Sequence, residues 1–281
     1  MKRAVVFAGG GVAGIAWEIG ILRGIQDLEP ELYAGLVAAD VIVGTSAGAA
    51  VAAQITSRTP LGDLYDAQLS EATSELEVDF DLENLMARFA EARAGATTAE
   101  DMRRRMGALA LATRTVDEST RRAAIAARLP VHSWPDQALL VTAVNAETGE
   151  LMVFTRASGV ALVDAVAASC ALPGVWPPET VGGHRYIDGG IRSVTNADLA
   201  TGCDRVLVVT PSLAGAPQLS GSLEEELELL KPAEALVIYA DTASREAFGS
   251  NPLSPSTRGP SARAGRVVGK SRAAELAVFW S

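Results

Sequence analysis

Residues 40–56 have the sequence DVIVGTSAGAAVAAQIT. Residues 40–43 predict a buried strand, and the alanine-rich residues 49–56 predict a helix. Between them, Gly44-Thr45-Ser46-Ala47-Gly48 matches the pattern G-x-S-x-G of a nucleophile elbow, a sharp strand-to-helix turn that exposes a serine hydroxyl. The alternative is a turn of small residues where a strand and a helix pack closely. The flanking pattern favours Ser46 as a catalytic nucleophile.

The N-terminal segment has the same order of elements. Residues 3–8 predict a strand, residues 9–14 are a glycine-rich loop, and apolar residues at helical spacing predict a helix over residues 15–28. Two successive strand–turn–helix units imply right-handed crossovers and a largely parallel sheet. The sequence therefore predicts an α/β fold.

The glycine loop allows more than one interpretation. Gly9, Gly11 and Gly14 satisfy the motif G-x-G-x-x-G, which in a dinucleotide-binding protein is followed by an acidic residue that closes a second strand. Here the acidic residues at suitable spacing fall at a helix end, and the next strand leads to Ser46. Loop amides that stabilise negative charge beside Ser46 fit both motifs better. A simple glycine turn is the remaining alternative.

Composition limits the classes of function. The chain has 281 residues, 48% hydrophobic and 21% charged, with a formal net charge of −10. Nucleic-acid binding requires clustered Lys and Arg, so we expect no such partner. No signal peptide or run of ~20 apolar residues is visible, which predicts a cytoplasmic protein without a membrane span. Cys170 and Cys203 are expected to be free thiols.

Residues 60–130 lack strand patterns and predict a helical insertion that covers the active edge of the sheet. Three helices are predicted within it: residues 83–93, 100–112 and 118–129. Thr98 is the expected N-cap of the second helix. Five arginines are candidates for contact with anionic lipid at a membrane surface, and pairing with nearby acids is the alternative: Arg103, Arg104, Arg105, Arg121 and Arg122.

The remaining residues return to an α/β pattern. A turn at residues 147–149 joins two predicted strands, and residues 161–169 predict a helix. We expect the last strand at residues 205–209, an acidic helix at 223–230, a Pro/Ser/Gly-rich loop at 250–264 and a closing helix at 271–279.

A serine nucleophile requires a base. His132 and His184 are the two histidines of the chain, and Asp188 in Asp188-Gly189-Gly190 is a third candidate. By itself an Asp-Gly pair indicates only a turn. The residues alone do not choose among the three.

Several motifs together resemble the patatin-like phospholipase family. The glycine loop at residues 9–14, the Ser46 motif and the Asp188 motif occur in that family's order and approximate spacing. The sequence ASCALP at residues 168–173, followed by Pro177-Pro178, and the segment 144–154 also resemble it. The resemblance covers about residues 3–210.

The resemblance implies a three-layer α/β/α fold, here a single domain over residues 1–281, with a Ser–Asp dyad. Ser46 would be the nucleophile and Asp188 the base. Oxyanion-hole amides would come from the segment Gly9–Gly11 and from Ala47, and the supporting glycines of the motifs would be Gly14, Gly44, Gly48, Gly189 and Gly190. The implied reaction is hydrolysis of lipid carboxyl esters through an acyl-enzyme, which requires no metal or other cofactor.

One position departs from the family pattern. The family usually has Arg or Lys immediately before the last glycine of the loop, and this chain has Ala13. We therefore expect weaker affinity for a phosphorylated head group unless another arginine compensates, such as Arg103 or Arg23. Three alternatives stay open: acyl transfer or thioester hydrolysis, a non-catalytic lipid-binding relative, and an NAD(P)-binding protein.

Overall fold

The computed structural model describes residues 1–78, 81–215 and 221–281. Within them, one eight-stranded sheet forms. Its strands are Arg3–Phe7 (β1), Val41–Thr45 (β2), Ala138–Asn145 (β3), Leu151–Phe154 (β4), Glu179–Val181 (β5), His184–Asp188 (β6), Arg205–Thr210 (β7) and Glu234–Tyr239 (β8).

The sheet is mixed and mostly parallel. Its order is β5-β6-β3-β2-β1-β7-β8, and β4 pairs with β3. Strands β3, β2, β1, β7 and β8 are parallel to one another, whereas β4 and β6 are antiparallel to β3. The parallel sheet predicted from the two N-terminal units is confirmed.

Eleven α-helices are present in the part of the chain that the structure describes. They are Gly11–Leu28 (α1), Pro30–Val37 (α2), Ala47–Ile55 (α3), Leu61–Leu69 (α4), Leu82–Arg93 (α5), Ala99–Ala112 (α6), Glu118–Arg128 (α7), Leu162–Ser169 (α8), Leu223–Leu230 (α9), Thr242–Phe248 (α10) and Arg258–Trp280 (α11).

Strand β1 shows why the fold has three layers. Val5 and Phe7 belong to the large core that includes α1, α3 and α8, whereas Ala4 and Val6 belong to a second core with α9. Successive side chains of a strand point to opposite faces, so an apolar strand requires cover on both. The result is the expected α/β/α arrangement.

The helical block at residues 60–130 divides between two cores. Helix α4 and the end of α7 pack into the large core. Helices α5 and α6 form a third core with residues of β3 and β6, including Phe89, Met106, Val144 and Ile187. The predicted N-cap is present, because the Thr98 hydroxyl accepts a hydrogen bond from the Asp101 N–H at 3.0 Å. A role of the whole block as a cap stays a prediction.

Two sequence-based expectations at the C-terminus are wrong. Strand β7 is not the last strand, because β8 pairs with it in parallel; β8 lies at the sheet edge, is partly exposed and lacks a continuous buried pattern. The closing helix is not confined to residues 271–279, because α11 begins at Arg258. Pro260 lies in its first turn, where proline is tolerated, and Gly265 lets α11 approach the Trp17 backbone of α1.

Candidate active site

Ser46 occupies a strained turn between β2 and α3. Its backbone angles are φ 53° and ψ −114°, and non-glycine residues with positive φ are uncommon and concentrate at functional sites. The flanking glycines are required by close approach. A Cβ at Gly44 would lie 2.6 Å from the Ala49 Cα, and a Cβ at Gly48 would overlap the Phe7 carbonyl. The geometry is that of a nucleophile elbow.

Two neighbouring residues hold the backbone of Ser46 from both sides. The Ser46 N–H donates a hydrogen bond to the Ser169 hydroxyl at 2.8 Å, and the Cys170 thiol donates to the Ser46 carbonyl oxygen at 3.2 Å. Ser169 is fully buried at the end of α8. In the sequence, the motif ASCALP indicated only a resemblance to a family. In the structure, its residues Ser169 and Cys170 hold the strained peptide groups of Ser46.

Strand pairing brings Ser46 and Asp188 together. Thr45, the residue before Ser46, pairs with Thr142 of β3, and Asp188 at the end of β6 pairs with Ala143, the next residue of β3. Gly189 packs so closely on Thr142 that a Cβ would overlap its hydroxyl. Both side chains consequently line the same cavity.

Asp188 is a buried carboxyl group, only 4% exposed. Burial raises its pKa to about 6, although the Ser46 hydroxyl, the Gly190 amide and the charge of Arg121 each lower it. The Gly190 N–H donates to Oδ1 of Asp188 at 2.7 Å. A carboxyl group with a pKa near the working pH is a far better base than an unperturbed aspartate.

The glycine loop presents amides beside Ser46. Helix α1 begins inside the loop, at Gly11 with φ +66°, not after it as the sequence had suggested. For the N–H groups of Gly10, Gly11 and Ala47, no hydrogen-bond acceptor is found among the described residues. The Gly9 N–H differs, because it donates to the Val194 carbonyl oxygen at 2.9 Å. Among the described residues, the N–H groups of Gly10, Gly11 and Ala47 are therefore without an acceptor, whereas that of Gly9 is engaged.

The cavity at these residues has a volume of about 250 Å³. Its polar groups are few, and side chains from several elements form an apolar wall: Val12, Ile15, Leu85, Met86, Phe89, Leu172, Trp176, Ile191 and Leu253. A mostly apolar cavity with a few convergent polar groups is typical of a small-molecule site. Its chemistry suits an acyl chain whose ester lies at Ser46.

Neither histidine lines this cavity. His132 is exposed, and its Nε2 is 2.9 Å from the Ala126 carbonyl oxygen. His184 is exposed at the start of β6, whereas Asp188 ends that strand inside the cavity. Of the three candidate bases, Asp188 is the one that the fold places beside Ser46.

The arginines of the helical block mostly have local partners. Arg104 and Arg105 pair with Asp101, Arg122 pairs with Asp164, and Arg103 donates to the Gly149 carbonyl oxygen. Arg121 differs from them, because it is buried and lines the cavity. No sequence motif predicted that Arg121 lines the cavity. The packing of α7 on α8 decides which arginine of α7 is buried.

Ala13 does not face the cavity. Its side chain is fully buried in the large core, and its N–H donates to the Pro252 carbonyl oxygen at 2.9 Å. The two arginines proposed to compensate are also engaged elsewhere, because Arg23 pairs with Asp27 and Arg103 bonds to Gly149. Among the described residues, Arg121 and Arg128 are the basic side chains that line the cavity with Ser46.

The protein has a three-layer α/β/α fold, with a serine elbow, a neighbouring buried aspartate and a glycine loop at one cavity. This is the architecture expected of patatin-like proteins. A family model described as patatin-like phospholipase matches residues 5–201. The chain belongs to this family.

Two solved structures are similar to this chain. VipD from Legionella pneumophila has 13% identity and a TM-score of 0.44, with 98% of this chain and 66% of VipD covered. The type III effector protein ExoU has 15% identity and a TM-score of 0.43, with 98% of this chain and 53% of ExoU covered. This chain thus spans less than two thirds of either protein. Comparison with curated protein sequences gives no significant match.

No helix among the residues that the structure describes combines the length and apolar character needed to cross a bilayer.

Proposed function

We propose that this protein is a lipid acyl hydrolase that uses Ser46 as nucleophile and Asp188 as base. One observation carries the proposal: a serine on a strained elbow shares an apolar cavity with a buried aspartate whose pKa is raised to about 6. Above that pH the carboxylate can accept the Ser46 proton.

In the first half-reaction, Ser46 Oγ forms a bond to the ester carbonyl carbon while its proton passes to Asp188. The electron pair of the carbonyl double bond moves to the oxygen, where the amides of Gly10, Gly11 and Ala47 stabilise the negative charge. The C–O bond to the alcohol then breaks, and the leaving oxygen takes the proton from Asp188. An acyl-enzyme on Ser46 and a free alcohol result.

In the second half-reaction, Asp188 takes a proton from water as the water oxygen attacks the acyl carbon. The bond to Ser46 Oγ breaks, Ser46 recovers its proton, and a fatty acid leaves. Acceptance of the acyl group by another alcohol or thiol would use the same intermediate. Peripheral contact of the helical block with a membrane surface would suit a lipid substrate.

Hydrolysis of p-nitrophenyl esters by single variants tests the proposal. We expect Ser46→Ala and Asp188→Asn to lose activity by several orders of magnitude, as in other serine hydrolases, where such losses are on the order of a millionfold. His184→Ala and His132→Ala should stay within about tenfold of wild type, because neither is assigned a proton. A loss in His184→Ala as large as in Ser46→Ala would contradict the dyad. No activity in folded wild type would favour a non-catalytic lipid-binding protein.

A further inference from the structure

Arg121 of α7 is a buried cation inside the cavity. It is 5% exposed, and its guanidinium lies 3.8 Å from the centre of the Trp176 ring. Among the described residues, its Nε and Nη1 have no hydrogen-bond partner. Buried polar groups are normally paired, so two unpaired nitrogens on one buried guanidinium require an explanation.

The acids near Arg121 are already engaged. Glu75 receives two hydrogen bonds from Arg128, at 2.8 and 2.6 Å. Asp188 accepts from the Gly190 amide. Burial and, to a smaller extent, the nearby charge of Arg128 lower the pKa of Arg121 to about 10, against the opposing effect of the nearby acids, so the side chain stays protonated at neutral pH. Arg121 thus feels the charges of Glu75 and Asp188, but among the described residues neither carboxyl group forms a hydrogen bond with its Nε or Nη1.

A buried, unpaired cation is costly unless an anion joins it. The substrate of a lipid hydrolase supplies one, because in a glycerophospholipid the phosphate lies on the same glycerol as the cleaved ester. A guanidinium is well suited to phosphate oxygens, since it offers several donors in one plane. The apolar side chains of the cavity wall would contact the acyl chain.

We propose that Arg121 binds the phosphate of a phospholipid or lysophospholipid whose ester lies at Ser46. This rests on the proposed function and narrows its substrate class to phosphate-bearing esters. It also assigns the anion site to α7 instead of the glycine loop, where Ala13 is buried.

Matched substrates test the proposal on activity. We would compare a 1-acylglycerol phosphate with the 1-acylglycerol of the same chain length, for wild type, Arg121→Gln, Arg121→Lys and the control Arg122→Gln. Arg122 is the adjacent residue, exposed and paired with Asp164. We expect Arg121→Gln to lower kcat/KM for the phosphate-bearing ester by about 10- to 100-fold more than for the neutral ester, with the difference between the two substrates in KM. Arg121→Lys should recover part of the loss, and Arg122→Gln should match wild type.

Equal losses on both substrates, or a loss in kcat alone, would overturn the proposal, because Arg121 would then act on Asp188 or on the fold. A melting temperature for each variant identifies misfolding. If Arg121→Gln does not fold, inhibition of the wild-type protein is the test. Decyl phosphate should inhibit its ester hydrolysis at least about tenfold more strongly than decanol. Equal inhibition would overturn the proposal.

Binding to Ser46→Ala, measured by calorimetry, separates this proposal from the proposed function. Decyl phosphate should bind more tightly than decanol by at least about tenfold, and more tightly than inorganic phosphate. If wild type hydrolyses no ester but Ser46→Ala binds decyl phosphate in this way, the proposed hydrolase function is wrong and the proposed phosphate site stands. Binding of inorganic phosphate as tight as that of decyl phosphate would indicate a free-anion site, and tighter binding of decanoate would indicate a carboxylate site; either result overturns the proposal.

Discussion

The backbone N–H of Ser46 donates a hydrogen bond to the Ser169 hydroxyl at 2.8 Å. Ser46 has a positive φ, and its carbonyl oxygen accepts from the N–H groups of Ala49 and Ala50 at the start of α3. Ser169 supplies the acceptor that the Ser46 N–H requires. The residue that is proposed to carry the acyl group is therefore fixed by a residue of α8, far away in sequence. Catalytic groups depend on such support, because small displacements of the nucleophile cost rate.

Replacing Ser169 by Ala should lower both activity and stability. The Ser46 N–H would lose its acceptor, at a cost of about 1–3 kcal/mol, and the nucleophile would lose its orientation, so we expect kcat to fall by about 10- to 100-fold. Ester hydrolysis and urea unfolding are the measurements. The control is Ser261→Ala, since Ser261 is also fully buried but lies in α11 outside the cavity. An equal loss of kcat in both variants would contradict a positioning role for Ser169.

Gly48→Ala should destabilise the protein. A Cβ at position 48 of α3 would overlap the carbonyl group of Phe7, and the backbone of Phe7 is held in place by the pairing of β1 with β2 and β7. We expect the free energy of unfolding to fall by about 3 kcal/mol, the upper end for overpacked sites. Gly62→Ala is the matched control, because nothing lies within 4 Å of its added Cβ. In helix α4 this control should instead gain about 0.5–1 kcal/mol. Similar urea midpoints for the two variants would contradict the packing described.

Asp188 should give both activity and stability a characteristic pH dependence. Its pKa is raised by burial from 3.8 to about 6. As the base, it must be deprotonated, so kcat/KM should rise with pH and reach half its plateau near pH 6. The folded state binds this proton more tightly than the unfolded state, so the stabilisation is complete below about pH 4 and is lost as the pH rises through about 6.

Asp188→Asn should consequently be more stable than wild type at pH 8, by about 3 kcal/mol for a shift of about two units. The difference should shrink toward zero near pH 4, where both side chains are uncharged. Urea unfolding at the two pH values measures it. A variant that is less stable than wild type at both values would show that burial of the Asp188 charge does not govern this site.

Breaking the ion pair between Arg128 and Glu75 should cost far more stability than breaking a surface pair. The side chains are 6% and 11% exposed, and Glu75 Oε2 is 2.6 Å from Arg128 Nη2. Glu75→Gln leaves Arg128 buried without its counter-charge, and we expect a loss of about 3–5 kcal/mol. Asp136→Asn is the control, because its partner Arg156 is 65% exposed and Asp136 is 81% exposed; we expect a loss below about 1 kcal/mol. Unfolding free energies that fall equally would contradict this difference.

The sequence predicted the parts of the site that depend on local chemistry. The strand–turn–helix pattern around Ser46 and the glycine loop each carry their signal within a few residues. Family membership is confirmed, and so are the three-layer fold and its mostly parallel sheet. The start of α1 at Gly11 was missed because glycine discourages a helix except where, as here, a positive φ opens it.

The rest of the site depends on contacts between distant residues. The pairing of β3 with both β2 and β6 places Asp188 beside Ser46, and no local pattern of β6 shows its neighbour. Arg121 and Arg122 are adjacent and chemically identical in sequence, yet one is buried in the cavity and the other is paired at the surface. Packing alone distinguishes them, which is why the arginines could be proposed only as a group.

Labelling with a fluorophosphonate tests the central claim most directly, because this reagent modifies only a serine whose hydroxyl is activated. Wild type should be labelled on a single peptide that contains Ser46, Ser46→Ala should not be labelled, and Asp188→Asn should be labelled more slowly by on the order of a thousandfold or more. His184→Ala should be labelled at the wild-type rate. Labelling of a different serine, or a rate in Asp188→Asn equal to that of wild type, would contradict the Ser46–Asp188 dyad.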